Sequence, residues 1–295
     1  MLPQGFPERM LHLLGEAEFA EFLASYERPR SAGLRLNPRK PLPDGASLPF
    51  CEAQVPWEPN GYYVCEGSRP GLHPWHDAGA YYLQEPSAMA PARLLDAQPG
   101  ERVLDLCAAP GGKTILLAEQ MHSTGRLYSC DAAENRVGLI RTAVQRMGLT
   151  NVEALCNDAT KGNPALPQAD RILADVPCSG LGILAKKPDL RYKKLEPARE
   201  AELLATQSAI LDTAAQLLKA GGRLVYSTCT IDPAENQQQI AAFLARHPEF
   251  TVVEPAAALP AGMTAGEHGA LSVPTRTGMD GFFLCAMQKN GEKLQ

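Results

Sequence analysis

The chain of 295 residues is 45% hydrophobic and 21% charged, a composition typical of a folded protein and not of a disordered one. No stretch approaches the ~18 consecutive apolar residues of a membrane span, and the charged residues within positions 1–20 do not fit a signal peptide. We therefore expect a cytoplasmic protein with no membrane contact. The net charge of −5 does not indicate a nucleic-acid binder, so any such contact must come from a local basic patch.

Eight cysteines are present and none forms a C-x-x-C pair, so the sequence predicts no zinc site and no other metal site. Because no export signal precedes them, we expect free thiols in a reducing compartment. Cysteine often behaves as a small hydrophobic residue of the interior. We expect that role at four positions: Cys107, Cys130, Cys156 and Cys285.

The N-terminal part is predicted to be a small helical and loop-rich module. Residues 6–26 have a helical pattern, and prolines concentrated between Pro29 and Pro74 indicate loops. From about residue 100, short apolar runs alternate with amphipathic stretches, which is typical of a doubly wound α/β sheet. Six runs are predicted to be its strands: 102–107, 125–130, 152–156, 171–176, 223–227 and 282–287.

Three helix boundaries are predicted in this second region. Apolar residues three and four apart, between the second and third strands, predict a helix that ends at Gly148. Apolar pairs that repeat every seven residues, between the fourth and fifth strands, predict a second helix that ends at Gly221-Gly222. An acid followed by proline, Asp232-Pro233, predicts the start of a third helix.

A glycine-rich turn follows the first strand, in the run DLCAAPGGKT at 105–114. A strand, a tight turn and a helix N-terminus together form a docking place for an anionic or polar cofactor. A phosphate-binding P-loop of the pattern G-x-x-x-x-G-K-[ST] would need glycine where Cys107 stands. A P-loop nucleotide-binding enzyme is therefore one hypothesis, and a cofactor with ribose and adenine but no polyphosphate is the other.

Acidic residues at the strand ends favour the second kind of cofactor. Asp131 closes the second strand, 19 positions after Gly112, near the ~20 typical of an acid that binds ribose hydroxyls. Asp105, Asp158 and Asp175 end the first, third and fourth strands, at the carboxyl edge where such sheets bind ligands. One such acid is often only a cap or turn former. Four together indicate S-adenosylmethionine.

Two further cysteines follow strands at this edge. Cys178 in DVPCSG (175–180) and Cys229 in STCT (227–230) stand in turns with polar neighbours, and the helix predicted at 232 would help to stabilise a Cys229 thiolate. A thiolate that adds to carbon 6 of cytosine makes carbon 5 nucleophilic toward a sulfonium methyl group. A base must then remove the proton from carbon 5. Asp175 is placed to contact the ring nitrogens.

These motifs resemble those of the RNA 5-methylcytosine methyltransferases of the Sun group, together with the runs YYLQEPSAM (81–89), KKPDLRYK (186–193) and DGFFLCAM (280–287). The opening, with GLRLN at 33–37, is similar to the RsmF-like ribosomal RNA branch. The resemblance implies a Rossmann-like class I methyltransferase sheet over residues 79–295. Before it, residues 1–78 would form a small N-terminal α/β or helical, loop-rich domain that binds RNA or has an auxiliary role.

The same resemblance implies the reaction and the roles of individual residues. The expected substrate is cytosine in RNA, as 16S ribosomal RNA or the small ribosomal subunit, and the expected state is a monomer. Cys229 resembles the nucleophile, Cys178 the cysteine that assists proton removal and product release, and Asp175 the acid that contacts the target cytosine. The implied S-adenosylmethionine pocket comprises Cys107, Ala108, Ala109, Pro110, Gly111, Gly112, Lys113, Asp131, Arg136, Asp158 and Asp175.

A basic cluster follows the Cys178 turn, and Tyr192 within it is a candidate for stacking on a base. Charge clusters are usually solvated faces. The position beside the predicted catalytic turn favours phosphate contacts that hold RNA while the target base turns out. A non-catalytic RNA-binding or ribosome-assembly factor with the same fold is a third hypothesis. The cluster comprises Lys186, Lys187, Arg191, Lys193 and Lys194.

Overall fold

The computed structural model describes residues 5–28, 31–192, 196–254 and 259–291. Its N-terminal region contains α1 (Phe6–Ser25), β1 (Gly33–Leu36), β2 (Cys51–Gln54), β3 (Gly61–Val64), α2 (Pro74–Asp77) and β4 (Tyr81–Leu83). The larger region begins with α3 (Ala90–Leu95), β5 (Arg102–Asp105), α4 (Gly112–Gln120), β6 (Arg126–Asp131), α5 (Glu134–Met147), β7 (Val152–Cys156) and β8 (Ala169–Asp175). It continues with α6 (Pro197–Leu217), β9 (Leu218–Thr228), α7 (Gln237–Arg246), β10 (Phe250–Val252), β11 (Thr264–Gly266), β12 (Gly269–Ser272), α8 (Pro274–Thr277) and β13 (Phe282–Lys289).

The N-terminal strands form an antiparallel sheet in the order β2-β3-β1-β4. The stretch between Pro29 and Pro74, expected as loops, thus contains three strands of four residues each. Strands this short, set between prolines and glycines, leave too few positions for an alternating apolar pattern to show in the sequence. The predicted N-terminal helix is confirmed as α1, which is kinked where Gly15 has φ 75°.

Helix α1 packs against the loops that follow β8 and β9. Its buried residues Phe6, Met10 and Phe22 lie in one apolar cluster with Leu181 and Ile231. The guanidinium of Arg9 also donates to Asp232 (2.5 Å) and forms an ion pair with Glu200 (2.9 Å). The N-terminal helix therefore covers and fixes the two segments that carry Cys178 and Cys229.

The central sheet has the strand order β11-β12-β13-β9-β8-β5-β6-β7, and β10 pairs with β13. Neighbours from β9 to β7 run parallel, whereas β13 is antiparallel to β9. All six strands predicted from the apolar runs are confirmed. Because β5, β6, β7, β8 and β9 are parallel, the segments that follow them meet at one edge of the sheet.

Two of the three predicted helix boundaries differ from the structure. Gly148, with φ 72°, ends α5 as expected. Helix α6 ends earlier than predicted, at Leu217, and Gly221-Gly222 lies inside β9. A Cβ at Gly222 would come within 2.9 Å of the Asp170 carbonyl oxygen. Gly222 therefore permits close contact between β8 and β9, and neither glycine ends the helix.

The helix predicted to start at Asp232-Pro233 begins instead at Gln237. Asp232 Oδ1 accepts a bond from the Ala234 amide (3.0 Å), which closes a turn before the helix. Asn236 has φ −114° and ψ −104°, outside the helical region, because its side chain bonds the Cys229 loop. The expected support of a Cys229 thiolate by a helix N-terminus at 232 is therefore wrong.

The four cysteines expected in the interior do not share one environment. Cys130 and Cys285 are buried, Cys107 is half-buried, and Cys156 is exposed. Cys156 is the last residue of β7, the strand at one end of the sheet, so a neighbouring strand, β6, lies on one side of it only. Across the described ranges, no helix is long and apolar enough to cross a membrane.

Candidate functional site

The segments after β8 and β9 bring Cys178 and Cys229 into direct contact, although 51 positions separate them in the chain. The Sγ–Sγ distance is 3.1 Å, and the amide of Cys229 donates to Cys178 Sγ at 3.3 Å. Both side chains are half-buried and both thiols are free. At this distance the two sulfur atoms form a hydrogen bond in which either thiol can be the donor.

Backbone hydrogen bonds fix the relative position of the two segments. The Val176 amide donates to the Ser227 carbonyl (3.1 Å), and the Gly182 amide donates to the Cys229 carbonyl (3.0 Å). The Gly281 amide donates in turn to the Gly182 carbonyl (2.8 Å). A Cβ at Gly182 would lie 2.1 Å from the Gly281 carbonyl oxygen, so this contact requires glycine. The cysteine pair thus sits on a rigid backbone frame.

An ion pair between Asp175 and Lys113 lies beside the cysteines. Lys113 Nζ is 2.7 Å from Asp175 Oδ2, and Ser227 Oγ donates to Asp175 Oδ1 at 2.6 Å. Burial alone would lower the pKa of Lys113, but the charge and hydrogen bond of Asp175, with the charge of Cys229, raise it above its ordinary value. Lys113 also lies over the ring of Phe282, 5.3 Å from its centre. The lysine is therefore a fixed positive charge at this site.

The glycine-rich turn lies over a buried carboxyl group. Asp105 is completely buried, and burial raises its pKa from 3.8 to about 7. Asp105 Oδ2 accepts from Thr114 Oγ1 (2.7 Å), whereas Oδ1 has no partner among the described residues. The turn itself closes through the Gly111 amide, which donates to the Ala108 carbonyl (2.8 Å). Gly111 has φ 108°, a backbone conformation that glycine adopts without the strain that a side chain would cause.

Three of the four predicted strand-end acids come together. The charges of Asp105, Asp131 and Asp175 all raise the pKa of Cys107, after burial, which is the largest effect. Asp131 Oδ2 accepts from the Ala109 amide (3.3 Å) and pairs with Arg136 (3.2 Å).

Asp158 has hydrogen-bond and ion-pair partners of its own. Its side chain is 43% exposed and pairs with Lys161 at 2.8 Å. The hydrogen bond from Lys161, with those from Thr160, lowers the pKa of Asp158 to about 2. Among the described residues, its hydrogen bonds and ion pairs are all with these two neighbours.

The basic cluster is only partly visible in the described chain. Lys186 Nζ pairs with Asp280 Oδ2 at 2.8 Å, and Lys187 and Tyr192 are exposed. Lys193 and Lys194 lie outside the described residues, as does the side chain of Arg191.

Sequence reasoning missed two buried charged residues at this site. Arg35 donates to Gln84 Oε1 (2.8 Å) and to the Gly112 carbonyl (3.4 Å) and pairs with Glu119, so β1 is bonded to the glycine-rich turn. Glu235 accepts from the Ser179 amide at 2.9 Å, next to Cys178. A lone arginine in the apolar run GLRL is a signal of a buried pair. Glu235 lies in the segment for which the sequence predicted only the start of a helix.

Comparisons with known proteins agree with this architecture. Residues 92–288 match the family described as 16S rRNA methyltransferase RsmB/F, and residues 2–86 match the N-terminal domain of 16S rRNA methyltransferase RsmF. The chain is 42% identical over 236 residues to the probable ribosomal RNA small subunit methyltransferase B of Bacillus subtilis strain 168. That alignment covers 77% of this chain and 52% of the relative. It is 35% identical over 303 residues to the ribosomal RNA small subunit methyltransferase F of Cronobacter sakazakii, an alignment that covers 96% of this chain and 63% of the relative.

A solved structure has the same fold. The crystal structure of a methyltransferase homolog protein from Pyrococcus horikoshii matches with a TM-score of 0.81 and 27% identity, covering 96% of this chain and 94% of that one. The central sheet is therefore of the Rossmann-like methyltransferase type, as expected. The chain spans about half to two thirds of the length of the curated relatives named above. The family match extends over most of the chain, from 92 to 288, and on this evidence the protein belongs to the 16S rRNA methyltransferase RsmB/F family.

Proposed function

We propose that this protein methylates carbon 5 of cytosine in small-subunit ribosomal RNA, with S-adenosylmethionine as methyl donor and a covalent cysteine adduct at carbon 6. One observation carries the proposal: the Cys178 and Cys229 sulfur atoms are 3.1 Å apart, beside the Asp175–Lys113 ion pair. A reaction that needs one thiol to attack a ring carbon and a second to accept a proton from the neighbouring carbon fits such a pair.

Cys229 is proposed as the nucleophile. It lies within electrostatic reach of the Lys113 ammonium group, whose pKa the charge of Cys229 helps to raise. The thiolate forms a bond to carbon 6, and the electron pair displaced from the double bond makes carbon 5 nucleophilic. Bound S-adenosylmethionine supplies an electrophilic methyl group to the site. The Asp175 carboxylate, fixed by Lys113 and Ser227, is proposed to contact the target cytosine and hold the ring in position.

Cys178 is proposed to take the proton from carbon 5. Its hydrogen bond with Cys229, followed by burial and the charges of Cys229 and Glu235, raises the pKa of Cys178 well above its ordinary value. Once Cys229 is bonded to carbon 6, its sulfur carries neither a charge nor a proton. The hydrogen bond that raised the pKa of Cys178 is then lost. Cys178 can then release its proton to solvent and accept the proton of carbon 5. The bond between Cys229 and carbon 6 breaks, and Cys229 leaves as the thiolate.

The methyl-donor pocket is proposed at the glycine-rich turn, formed by residues 107–113 with Asp131, Arg136, Asp158 and Asp175. Asp105 Oδ1, buried and without a partner among the described residues, is an unused acceptor beneath the turn. Asp131, with its side chain 4% exposed, is a second carboxylate at the same edge. Carboxylates at this edge suit the ribose hydroxyls and the amino group of S-adenosylmethionine, so the residues present fit this cofactor.

The RNA is proposed to approach over the segment after Cys178 and the N-terminal domain, residues 1–78, with the protein acting as a monomer. Lys187 and Tyr192 are exposed there, as phosphate contact and base stacking require. Both residues lie within 92–288, the range that matches the family described as 16S rRNA methyltransferase RsmB/F.

Transfer of labelled methyl from S-adenosylmethionine to naked small-subunit RNA and to small subunits tests the proposal. The wild type should label one of these substrates at carbon 5 of cytosine, Cys229→Ala should lose the label, and Cys178→Ala should accumulate a denaturant-resistant protein–RNA adduct. Cys156→Ala, at an exposed thiol that takes no step in the proposed mechanism, is the matched control and should retain activity. Labelling by Cys229→Ala at the wild-type rate would refute the covalent mechanism, and no labelling of either RNA would refute the substrate.

A further inference from the structure

Glu235 takes no chemical step in the mechanism above, yet it is buried beside Cys178, with only 4% of its surface exposed. Its carboxylate accepts from the Ser179 amide (2.9 Å), from Ser179 Oγ, and from Gln207 Nε2 (2.9 Å). The same Gln207 nitrogen donates to the Pro177 carbonyl at 3.0 Å. Glu235 and Gln207 thus hold the residues on both sides of Cys178.

The contacts of Glu235 extend to the second cysteine loop. Ser179 Oγ is 2.9 Å from Thr230 Oγ1, next to Cys229 in the chain. Tyr226 in β9 donates its hydroxyl to the Glu235 carbonyl at 2.6 Å. Burial raises the pKa of the Glu235 carboxyl, while its three side-chain hydrogen bonds favour the carboxylate. All three neighbouring groups donate to the carboxyl oxygens, an arrangement that suits a carboxylate on the Cys178 side of the pair.

The two cysteines consequently face opposite charges. The positive charge of Lys113 lies within electrostatic reach of Cys229, whereas the charge of Glu235 raises the pKa of Cys178. The Cys229 amide donates to Cys178 Sγ and lowers the pKa of Cys178, but this effect is smaller than those that raise it. Glu196 and Glu202 line the cavity beside Cys178 but are exposed, so water screens their charges. Among the described residues, further titratable or charged groups on the elements packed around Cys178 are Tyr226, Asp232, Arg199 and Glu200.

We propose that Glu235 is the positioning residue that makes the two cysteines unequal: it clamps the Cys178 segment and disfavours ionisation of Cys178, so that Cys229 is the more reactive thiol of the free enzyme. The assignment of Cys229 as nucleophile rests on the proposed function, whereas the inequality of the thiols is a property of the free protein. Because like charges close together disfavour ionisation, a carboxylate next to Cys178 has this effect whatever the substrate.

The test is the pH dependence of iodoacetamide alkylation of each cysteine, followed on peptides by mass spectrometry in the full chain without RNA or methyl donor. In the wild type Cys229 should react faster than Cys178. Glu235→Gln keeps the shape of the side chain and can keep its hydrogen bonds. In this variant the midpoint of the pH profile for alkylation of Cys178 should move to lower pH. The ratio of the two rates at neutral pH should then fall by at least about threefold, the factor that half a pKa unit represents.

Two further variants separate charge from structure. Glu235→Asp keeps the charge but moves it away, so its Cys178 midpoint should lie between those of the wild type and Glu235→Gln. This variant decides the matter alone if Glu235→Gln does not fold. Glu200→Gln removes a carboxylate from the same cavity that pairs with Arg9 (2.9 Å), and its profile should match the wild type.

An unchanged Cys178 profile in the Glu235 variants, or an equal change at both cysteines, would overturn the inference. The measurement needs no catalysis. If the cysteines are unequal as described but no RNA is methylated, the proposed function fails and the inference about Glu235 stands.

Discussion

Arg35 of β1 and Glu119 of α4 form an ion pair in which the side chains are 0% and 4% exposed. The pair joins the N-terminal sheet to the helix that begins at the glycine-rich turn, and the same guanidinium reaches the Gly112 carbonyl at 3.4 Å. Removal of one partner from a buried ion pair leaves an uncompensated charge, which is strongly destabilising. The N-terminal sheet therefore contributes to the stability of the glycine-rich turn.

Replacement of Arg35 by methionine should lower the free energy of unfolding by about 3–5 kcal/mol, the cost of breaking a buried ion pair. Urea denaturation followed by circular dichroism measures this. The control is Arg126→Met, which breaks the exposed pair with Glu153 (2.9 Å) and should cost no more than about 1 kcal/mol. Equal losses in the two variants would contradict the role assigned to Arg35.

Asp105 should make stability depend on pH between about 4 and 8. Burial raises its folded pKa from 3.8 to about 7, so the folded state binds the proton more tightly than the unfolded state. The stabilising contribution is complete below the unfolded pKa and is lost as pH rises through the folded pKa, by about 4 kcal/mol in total.

Asp105→Asn should therefore flatten the fall in Tm from pH 5 to pH 8, as scanning calorimetry would show. Asp170→Asn is the control, because Lys219 and the Arg102 amide lower the pKa of Asp170 despite its burial. Its contribution is present above the unfolded pKa and lost only as pH falls below that value. A wild-type slope retained in Asp105→Asn would show that other groups cause the dependence.

The contact between Cys178 and Cys229 predicts a reaction with phenylarsine oxide, which condenses with two adjacent thiols and releases water. In the wild type, the reagent should protect both cysteines from alkylation, and dithiothreitol should reverse the protection. In Cys178→Ala or Cys229→Ala the remaining cysteine should stay reactive. Cys130→Ala, at a buried thiol elsewhere, should behave like the wild type. Protection of Cys229 in the absence of Cys178 would mean that the two sulfur atoms are not the reacting pair.

Gly182→Ala should displace the Cys229 loop, because the new Cβ would lie 2.1 Å from the Gly281 carbonyl oxygen. We expect a loss of about 1–3 kcal/mol in stability, as for other overpacked sites, and a drop of at least about tenfold in methyl transfer, since misplacement of catalytic groups is costly.

Gly138→Ala is the matched control for this substitution. It lies inside α5 with no atom within 4 Å of the added Cβ, and should stabilise the protein by about 0.5–1 kcal/mol. Thermal denaturation and methyl-transfer rates measure both variants. Full activity in Gly182→Ala would contradict the view that the glycine contact fixes the cysteine frame.

The sequence determined the features that depend on neighbouring residues. The six apolar runs became strands, and Gly148 ended α5, because strand formation by a buried apolar run and a left-handed helix end are local properties. Strand order follows the usual rules for such sheets, so the sequence also placed Asp131, Asp175 and the two cysteine turns near one edge. The resemblance to the Sun group agrees with the family match.

The tertiary structure decided how side chains from distant segments meet. The 3.1 Å contact of Cys178 with Cys229 joins residues 51 positions apart, and Arg35 meets Glu119 across 84 positions. The start of α7 was predicted four residues too early because Asn236 bonds the Cys229 loop, a competitor that local capping rules do not include. Asp158 pairs with Lys161, and Glu235 lies against Ser179. Each of these outcomes depends on which polar groups become buried together, and only the packed chain fixes that.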